Sequence, residues 1–341
     1  MEYISDQDLE YIYRKHKQKI YEADTGLTNE QIKEGVEAFY EPSKTENHAM
    51  SKAKAFDYVL SNTQIDVSEH DWYLGIAQSG ERTVRNALSL KWILDVRKTL
   101  APELVKEELR HFRKSHLVYL DPWHHVPDWE AVLELGIRGL LERAEKARKE
   151  REESQGLTPE QWAYFESIKI EYESMLKFLA RVRDHALTKD HPKCKKIAQC
   201  MDNLYKGAPT NFYECLQLIW IFFICVQFID SFSVRSFGNL DQMLYPYYKK
   251  DLESGEFSQA ELAEFIAGFY TQSMAAKYMA AAQPFYMGGT NPDGSSGVNE
   301  LSYLMLDVYD KLNIFDPKIQ VKINRNTPQE FIDKIKEMTL D

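Results

Sequence analysis

Residues 216–229 read L-Q-L-I-W-I-F-F-I-C-V-Q-F-I, apolar at almost every position. A helix that is greasy on all sides has no face to offer water, so this stretch belongs inside a large protein with other elements packed around it. Its most apolar part, Leu218 to Val226, is too short to span a bilayer and is flanked by Gln217 and Gln227, which favours a core helix. With 341 residues the chain can bury about three quarters of its unfolded surface, enough to surround such a helix without a disulfide or metal staple.

The chain changes character directly after this run. Residues 230–248, D-S-F-S-V-R-S-F-G-N-L-D-Q-M-L-Y-P-Y-Y, mix small polar residues, a glycine and an Asp-Gln pair where a plain core segment would stay apolar. A second stretch, 284–303, reads P-F-Y-M-G-G-T-N-P-D-G-S-S-G-V-N-E-L-S-Y and carries four glycines around a polar insert. Together they suggest the rim of a pocket on a helical scaffold.

Helical periodicity and caps organise the rest. Leu9, Ile12, Tyr13 and Ile20 share helical spacing, Thr28 opens a second helix, and His48 to Leu60 forms a third. Ile65 and Val67 mark a short extended piece, and Trp72 to Ile76 a buried edge strand or turn. Helices are expected over Val84 to Leu100 and after Pro102, then a stiff connection from Asp121 to Asp128, with Asp128 capping the next helix. Others run from Pro159 to about Thr188, from Cys194 to Leu204, from Asn211 through the apolar run, and from Asn239 to Tyr248, where Pro246 is expected to disturb the helix. Ser258 and Glu261 form a capping box. Asn299 to Leu312 reads as helix, Lys318 to Asn324 as strand, and Asn326-Thr327-Pro328 as the start of a last helix. No linker or repeat divides the chain, so residues 1–341 are expected to form a single packed unit.

A net charge of -11 disfavours nonspecific binding to nucleic acid or anionic membranes. Cys194, Cys200, Cys215 and Cys225 match no zinc signature, and reduced buried thiols in a cytoplasmic protein are expected. The N-terminal residues carry no secretory signal pattern. No metal site is expected: Asp293 to Glu300 lacks the EF-hand order, and no lysine follows the glycines at P-loop spacing.

Three segments, F-G-N-L-D-Q-M-L-Y-P-Y-Y-K-K-D (237–251), G-G-T-N-P-D-G-S-S-G-V-N-E-L-S-Y-L (288–304) and T-P-Q-E-F (327–331), closely resemble the glycyl radical enzyme superfamily of pyruvate formate-lyase-like proteins. Weaker likenesses run through Trp123 to Leu133, Thr210 to Gln217 and Tyr58 to Gly75, so the resemblance covers nearly the whole chain in order. It implies a helix-rich α/β fold, the first portion of a ten-stranded barrel with surrounding helices. In that family a cysteine on one finger loop forms the substrate-attacking thiyl radical. A glycine on another stores the radical, which a separate radical S-adenosylmethionine activase installs under anaerobic conditions. Members are usually homodimers acting on small organic molecules.

This chain departs from the pattern in extent. None of its four cysteines lies in a Cys-Cys or Cys-x-Glu signature, and Phe265-Ile266-Ala267-Gly268-Phe269-Tyr270 only echoes the radical loop, without its arginine and inside a capped helix. Thiyl cysteine and radical glycine are therefore expected to be missing. No cofactor is expected in the chain itself, and it is expected to be inactive alone, as the N-terminal scaffold of a lyase or dehydratase. Its partner would be the missing C-terminal half, or a second copy joined through exposed apolar surface. The alternative is a non-catalytic module binding a small molecule or a protein.

The resemblance places His124 in the wall or proton relay of the substrate pocket, against a purely structural histidine. Ser231, Ser233 and Arg235 alternate along an extended segment and suit a carboxylate- or hydroxyl-bearing substrate. For Arg235 the competing reading is a pair with a structural carboxylate such as Asp241. Asp241 and Gln242 are expected to fix their loop through backbone hydrogen bonds, and Gly288 and Gly289 to permit positive φ or close backbone approach.

Overall fold

The computed structural model describes residues 3–18, 26–40, 47–76, 125–230, 234–277 and 284–340. The readings for Val84 to Leu100, for the helix after Pro102 and for the connection before His125 lie outside these residues. Helices α1 (Asp6–Gln18), α2 (Asn29–Tyr40) and α3 (His48–Asn62) lead to a small antiparallel pair, β1 (Ile65–Asp66) with β2 (Gly75–Ile76). Then come α4 (Trp129–Gln155), α5 (Pro159–Leu187), α6 (Pro192–Lys206) and α7 (Phe212–Ile224), the last running on into a π-helical turn, Cys225–Ile229. After α8 (Leu240–Ser254) and α9 (Gln259–Lys277), strand β3 (Phe285–Gly288), α10 (Glu300–Leu312), strand β4 (Ile319–Lys322) and α11 (Gln329–Leu340) complete the order.

The helix starts are set by the side chains that satisfy their free N–H groups. Asp128 accepts from Ala131 N at 3.1 Å, Asn211 from Glu214 N at 2.9 Å, and Ser258 and Glu261 bond each other reciprocally. Pro246, expected to disturb this helix, lies inside α8, which runs on to Ser254. The turns beyond it are held by packing: Tyr248 is buried, and buried Asp251 accepts the Phe212 N–H at 2.6 Å. Those contacts outweigh the one backbone hydrogen bond that a proline removes.

Helix α7 sits at the centre, with every residue except Phe222 buried. Two of its few polar groups bond the turn before β2. Tyr213 Oη donates to Trp72 O at 2.8 Å and Trp220 Nε1 to Leu74 O at 2.8 Å. Glu214 is buried as well, and its carboxylate accepts from Asn203 Nδ2, Thr210 N and Thr210 Oγ1 at 2.7 to 2.9 Å. All four cysteines are free and buried.

Short parallel pairings line up in chain order beside these helices. His125 pairs with Val234, Asn239 with Tyr286, and β3 with β4, all parallel. Backbone bonds join them: Arg235 N to His125 O at 2.8 Å, Phe237 N to Pro284 O at 3.1 Å, Tyr286 N to Gly238 O at 2.8 Å and Phe285 N to Lys318 O at 3.1 Å. Helices supply each crossover between successive segments, as parallel pairing requires. Strand β4 has a partner on one edge only among the described residues. Nearby, Phe315 is 60% and Ile323 63% exposed.

One charged cluster ties α3, α5 and the π turn together. The Asp230 N–H bonds Cys225 O at 2.8 Å, an i to i−5 bond that ends the π turn, and the Asp230 carboxylate pairs with Lys52 of α3. Glu171 of α5 lies in the field of both. Burial, and next the Asp230 charge, push its carboxyl from 4.5 up to about 7, against the opposing pull of Lys52. The folded chain thus binds this proton more tightly than the unfolded one. The associated stability is fully present below pH 4.5 and is lost as pH rises through about 7. Urea unfolding should therefore give a lower free energy at pH 8 than at pH 5, by up to about 3 kcal/mol from this group. Glu171→Gln should remove that part of the slope, and an unchanged slope in the variant would exclude Glu171 as its source.

Candidate functional site

The segment after the π turn enters the parallel array at Val234, whose N–H is bonded by the buried Gln227 Oε1 at 2.8 Å. His124, Ser231 and Ser233 lie outside the described residues. Their chain neighbours His125 and Val234 are bridged, so the two segments meet backbone to backbone. Arg235 is half-buried, and its Nε has no hydrogen-bond partner among the described residues. The pair with Asp241, the carboxylate offered as the example of a structural partner for Arg235, is not formed.

Asp241 is occupied elsewhere. It is fully buried, and its Oδ2 accepts from Gly288 N at 2.8 Å and Ser302 Oγ at 2.6 Å. Burial pushes its carboxyl above the usual range, against the Ser302 and Gly288 hydrogen bonds that favour the charged form. Its carbonyl accepts from Asn299 Nδ2 at 3.2 Å, and Gln242 Nε2 donates to Gly297 O. Asn299 and Ser302 in turn form the capping box of α10. The start of α8, the end of β3 and the start of α10 are thereby locked through one carboxylate and its neighbour.

Glycine is required at the crossing point. Gly288 has φ 70°, and a Cβ there would lie 2.8 Å from Lys322 O. Gly289 has φ 99° and donates its N–H to Lys322 O at 2.8 Å. Sequence reasoning found these four positions but missed Ser302, Asn299 and Lys322. The Asn299-Glu300-Leu301-Ser302 order carried a capping signal for the first two; Lys322 becomes legible only with the strand register.

Beyond the ends of β3 and β4, two loops enclose an open cavity of about 710 Å³ that includes Asp293, Ser295, Asn324 and Arg325 in its wall. Asn324 Nδ2 donates to Gly289 O at 3.0 Å and to Thr290 Oγ1 at 2.7 Å, and Asn326 Nδ2 to Gly294 O at 2.8 Å, so the loops are laced together. The Ser295 hydroxyl and N–H hold the Asp293 carboxyl below the usual carboxylate range. Among the described residues no group of His, Cys, Asp and Glu is arranged to hold a metal ion, and no helix is long and apolar enough to cross a membrane.

This architecture has relatives of known identity. The hydroxyproline dehydratase of Clostridioides difficile, solved with its substrate, superposes with a TM-score of 0.77 at 17% identity, over 99% of this chain and 50% of that one. The chain thus spans about half the length of that solved relative. Trans-4-hydroxy-L-proline dehydratase from Clostridioides difficile is 29% identical over 157 residues, 42% of this chain and 20% of that protein. The glycyl radical subunit of 4-hydroxyphenylacetate decarboxylase from Clostridium scatologenes is 27% identical over 180 residues, 49% of this chain and 20% of that one. The fold is helix-rich and related to that of glycyl radical enzymes, matching part of their length. Residues 98–341 match the pyruvate formate lyase-like family throughout, and the chain belongs to that family.

Proposed function

We propose that this chain provides the N-terminal scaffold and one wall of the substrate pocket of a glycyl radical lyase or dehydratase acting on a small organic molecule, and that it is inactive alone. The observation that carries the reading is the order of the parallel segments. Segments at 125, 234–239, 285–288 and 319–322 neighbour one another in chain sequence, with helical crossovers and, among the described residues, an open edge at β4. Sequential parallel neighbours are the arrangement of a closing α/β barrel, whereas a doubly wound sheet reverses its order. In this reading the unit is the first portion of a ten-stranded barrel, residues 1–341 pack as one body in the cytoplasm, and the edge of β4 receives the next strand. A strand edge left open in this way is a pairing template.

His124, Ser231, Ser233 and Arg235 line the pocket, while Asp241, Gln242, Gly288 and Gly289 hold its rim. Abstraction of a hydrogen atom from an unactivated C–H bond needs a thiyl radical held against it in a site closed to solvent. The four cysteines are buried in the helical layer, and burial raises the thiols of Cys200, Cys215 and Cys225. None is presented to a substrate. The reactive cysteine and the radical glycine, the latter charged by a radical S-adenosylmethionine activase, then come from a C-terminal half, in an assembly that is a homodimer when complete.

The transcript beyond the Asp341 codon tests this directly. The expected result is a continuation, or a co-transcribed second polypeptide, carrying a Cys-x-Glu or Cys-Cys loop and an R-V-x-G-Y loop. Anaerobic activation should give a glycyl doublet in electron paramagnetic resonance with both parts and none with this chain by itself. A stop codon with no such partner would overturn the reading in favour of a binding module. For the rim, Asp241→Ala leaves the Gly288 N–H and the Ser302 hydroxyl without their acceptor and should cost about 3 kcal/mol in urea unfolding. A loss below about 0.5 kcal/mol would show that Asp241 does not hold the loop.

A further inference from the structure

The register of β3 and β4 sorts their side chains onto two faces. Phe285 pairs with Ile319 and Met287 with Val321, and these four join the hydrophobic core, Phe285 stacking on Tyr270 of α9 with ring centres 5.5 Å apart. Tyr286 pairs with Gln320 and Gly288 with Lys322, so this second set points to the opposite face. The bridge between Asn239 and Tyr286 brings Asn239 alongside. In contrast to the first face, this one carries an amide at Asn239, a phenol at Tyr286, another amide at Gln320 and an ammonium at Lys322.

Lys322 is held in place without being neutralised. Its Nζ donates to Asn239 Oδ1 at 3.0 Å and lies 4.5 Å from the centre of the Tyr286 ring. Both partners are uncharged, and no carboxylate pairs with Lys322 among the described residues. In a chain with 53 acidic and 42 basic side chains, a lysine so placed is conspicuous. An ammonium has three donors, and Asn239 takes one, so two remain for a ligand. Its cross-strand neighbour is Gly288, which brings no side chain of its own: a Cβ there would lie 2.8 Å from Lys322 O and 3.3 Å from Val298 Cγ2. An oriented cation, a bare backbone and flanking amide groups form a receptor for an oxyanion.

We propose that this face binds the carboxylate or sulfonate group of a small organic molecule, with Lys322 supplying the charge and Asn239, Tyr286 and Gln320 the surrounding contacts. The inference rests on the barrel reading above and names the ligand class for the inner face. It is tested on the full 341-residue chain, labelled with nitrogen-15 and titrated at constant ionic strength with acetate, methanesulfonate and, as neutral comparator, ethanol. Saturable amide shifts at Gly289, Gln320, Val321 and Lys322 are expected with the two anions and not with ethanol. Lys322→Met should weaken binding about tenfold or more, while Lys322→Arg retains it. Lys54→Met, which alters a separate cavity bounded by Phe39 and Tyr58, should leave it unchanged. Shifts that persist in Lys322→Met, that spread evenly over the surface lysines, or that fail to appear would overturn the proposal. Hydrogen exchange in the ligand-free chain separates this from the barrel reading. Outward amides of β4 that exchange freely while no anion binds would remove the ligand class alone, whereas protected outward amides would remove the open barrel edge itself.

Discussion

Helix α7 leaves no side for water, and that single constraint arranges the molecule. A greasy cylinder of this kind must be enclosed, and the neighbours that enclose it have to meet the few hydrogen-bonding groups it carries. Tyr213 and Trp220 do this by donating to the carbonyls of Trp72 and Leu74, which pins a turn far away in sequence directly onto the helix. That turn is bound again from the other side, because Tyr73 Oη donates to Phe265 O of α9 at 2.8 Å. The hydrophobic demand of one segment therefore fixes the positions of two others, and polar side chains set their register.

The same helix determines how the parallel array begins. Its last turn widens to π geometry, so the chain leaves with one residue more than an α-helix would use, and Asp230 emerges beside Lys52 and Glu171. From there Gln227 catches the backbone of Val234 and starts the strand. The Asp241 carboxylate performs the corresponding task at the far end, joining two helix starts and the end of β3. A buried carboxylate costs heavily in desolvation, so it is retained where its hydrogen bonds organise several elements at once.

Much of this was legible in the chain itself, for local reasons. Asp128 and Ser258 announce their helices because capping is a contact over three residues, and the apolar run announces its burial by composition alone. How far α8 runs past Pro246 was not legible, since the packing of Tyr248 and Asp251 that carries it comes from elements distant in sequence. The π turn was equally invisible, because the Lys52 pair that accompanies it bridges α3 and the end of the central helix. Asp241 and Arg235 shared a motif and opposite charges, yet the carboxylate went to Gly288 and Ser302. A backbone N–H and a short hydroxyl at fixed positions outcompete a long flexible guanidinium for a fully buried acceptor. Lys322 shows the limit most clearly: its alternation with Val321 was readable, but the neutral company it keeps depends on which strand lies beside it.

Charge on the inner face of an open sheet is weak, because water screens it. Under the barrel reading, closing the sheet changes that without moving a residue of this chain. Excluding solvent lowers the local dielectric, so Lys322, already oriented by Asn239 and Tyr286, attracts an anion far more strongly in the closed assembly than in the isolated half. Solvent exclusion is also the condition that hydrogen-atom abstraction imposes on a radical site. One event, the docking of a further strand on the free edge of β4, would thus both strengthen substrate binding and permit the chemistry. Under the same reading, a chain that positions charge and backbone in advance, with the reactive groups brought by the closing half, would meet that double requirement without any of its buried cysteines having to act.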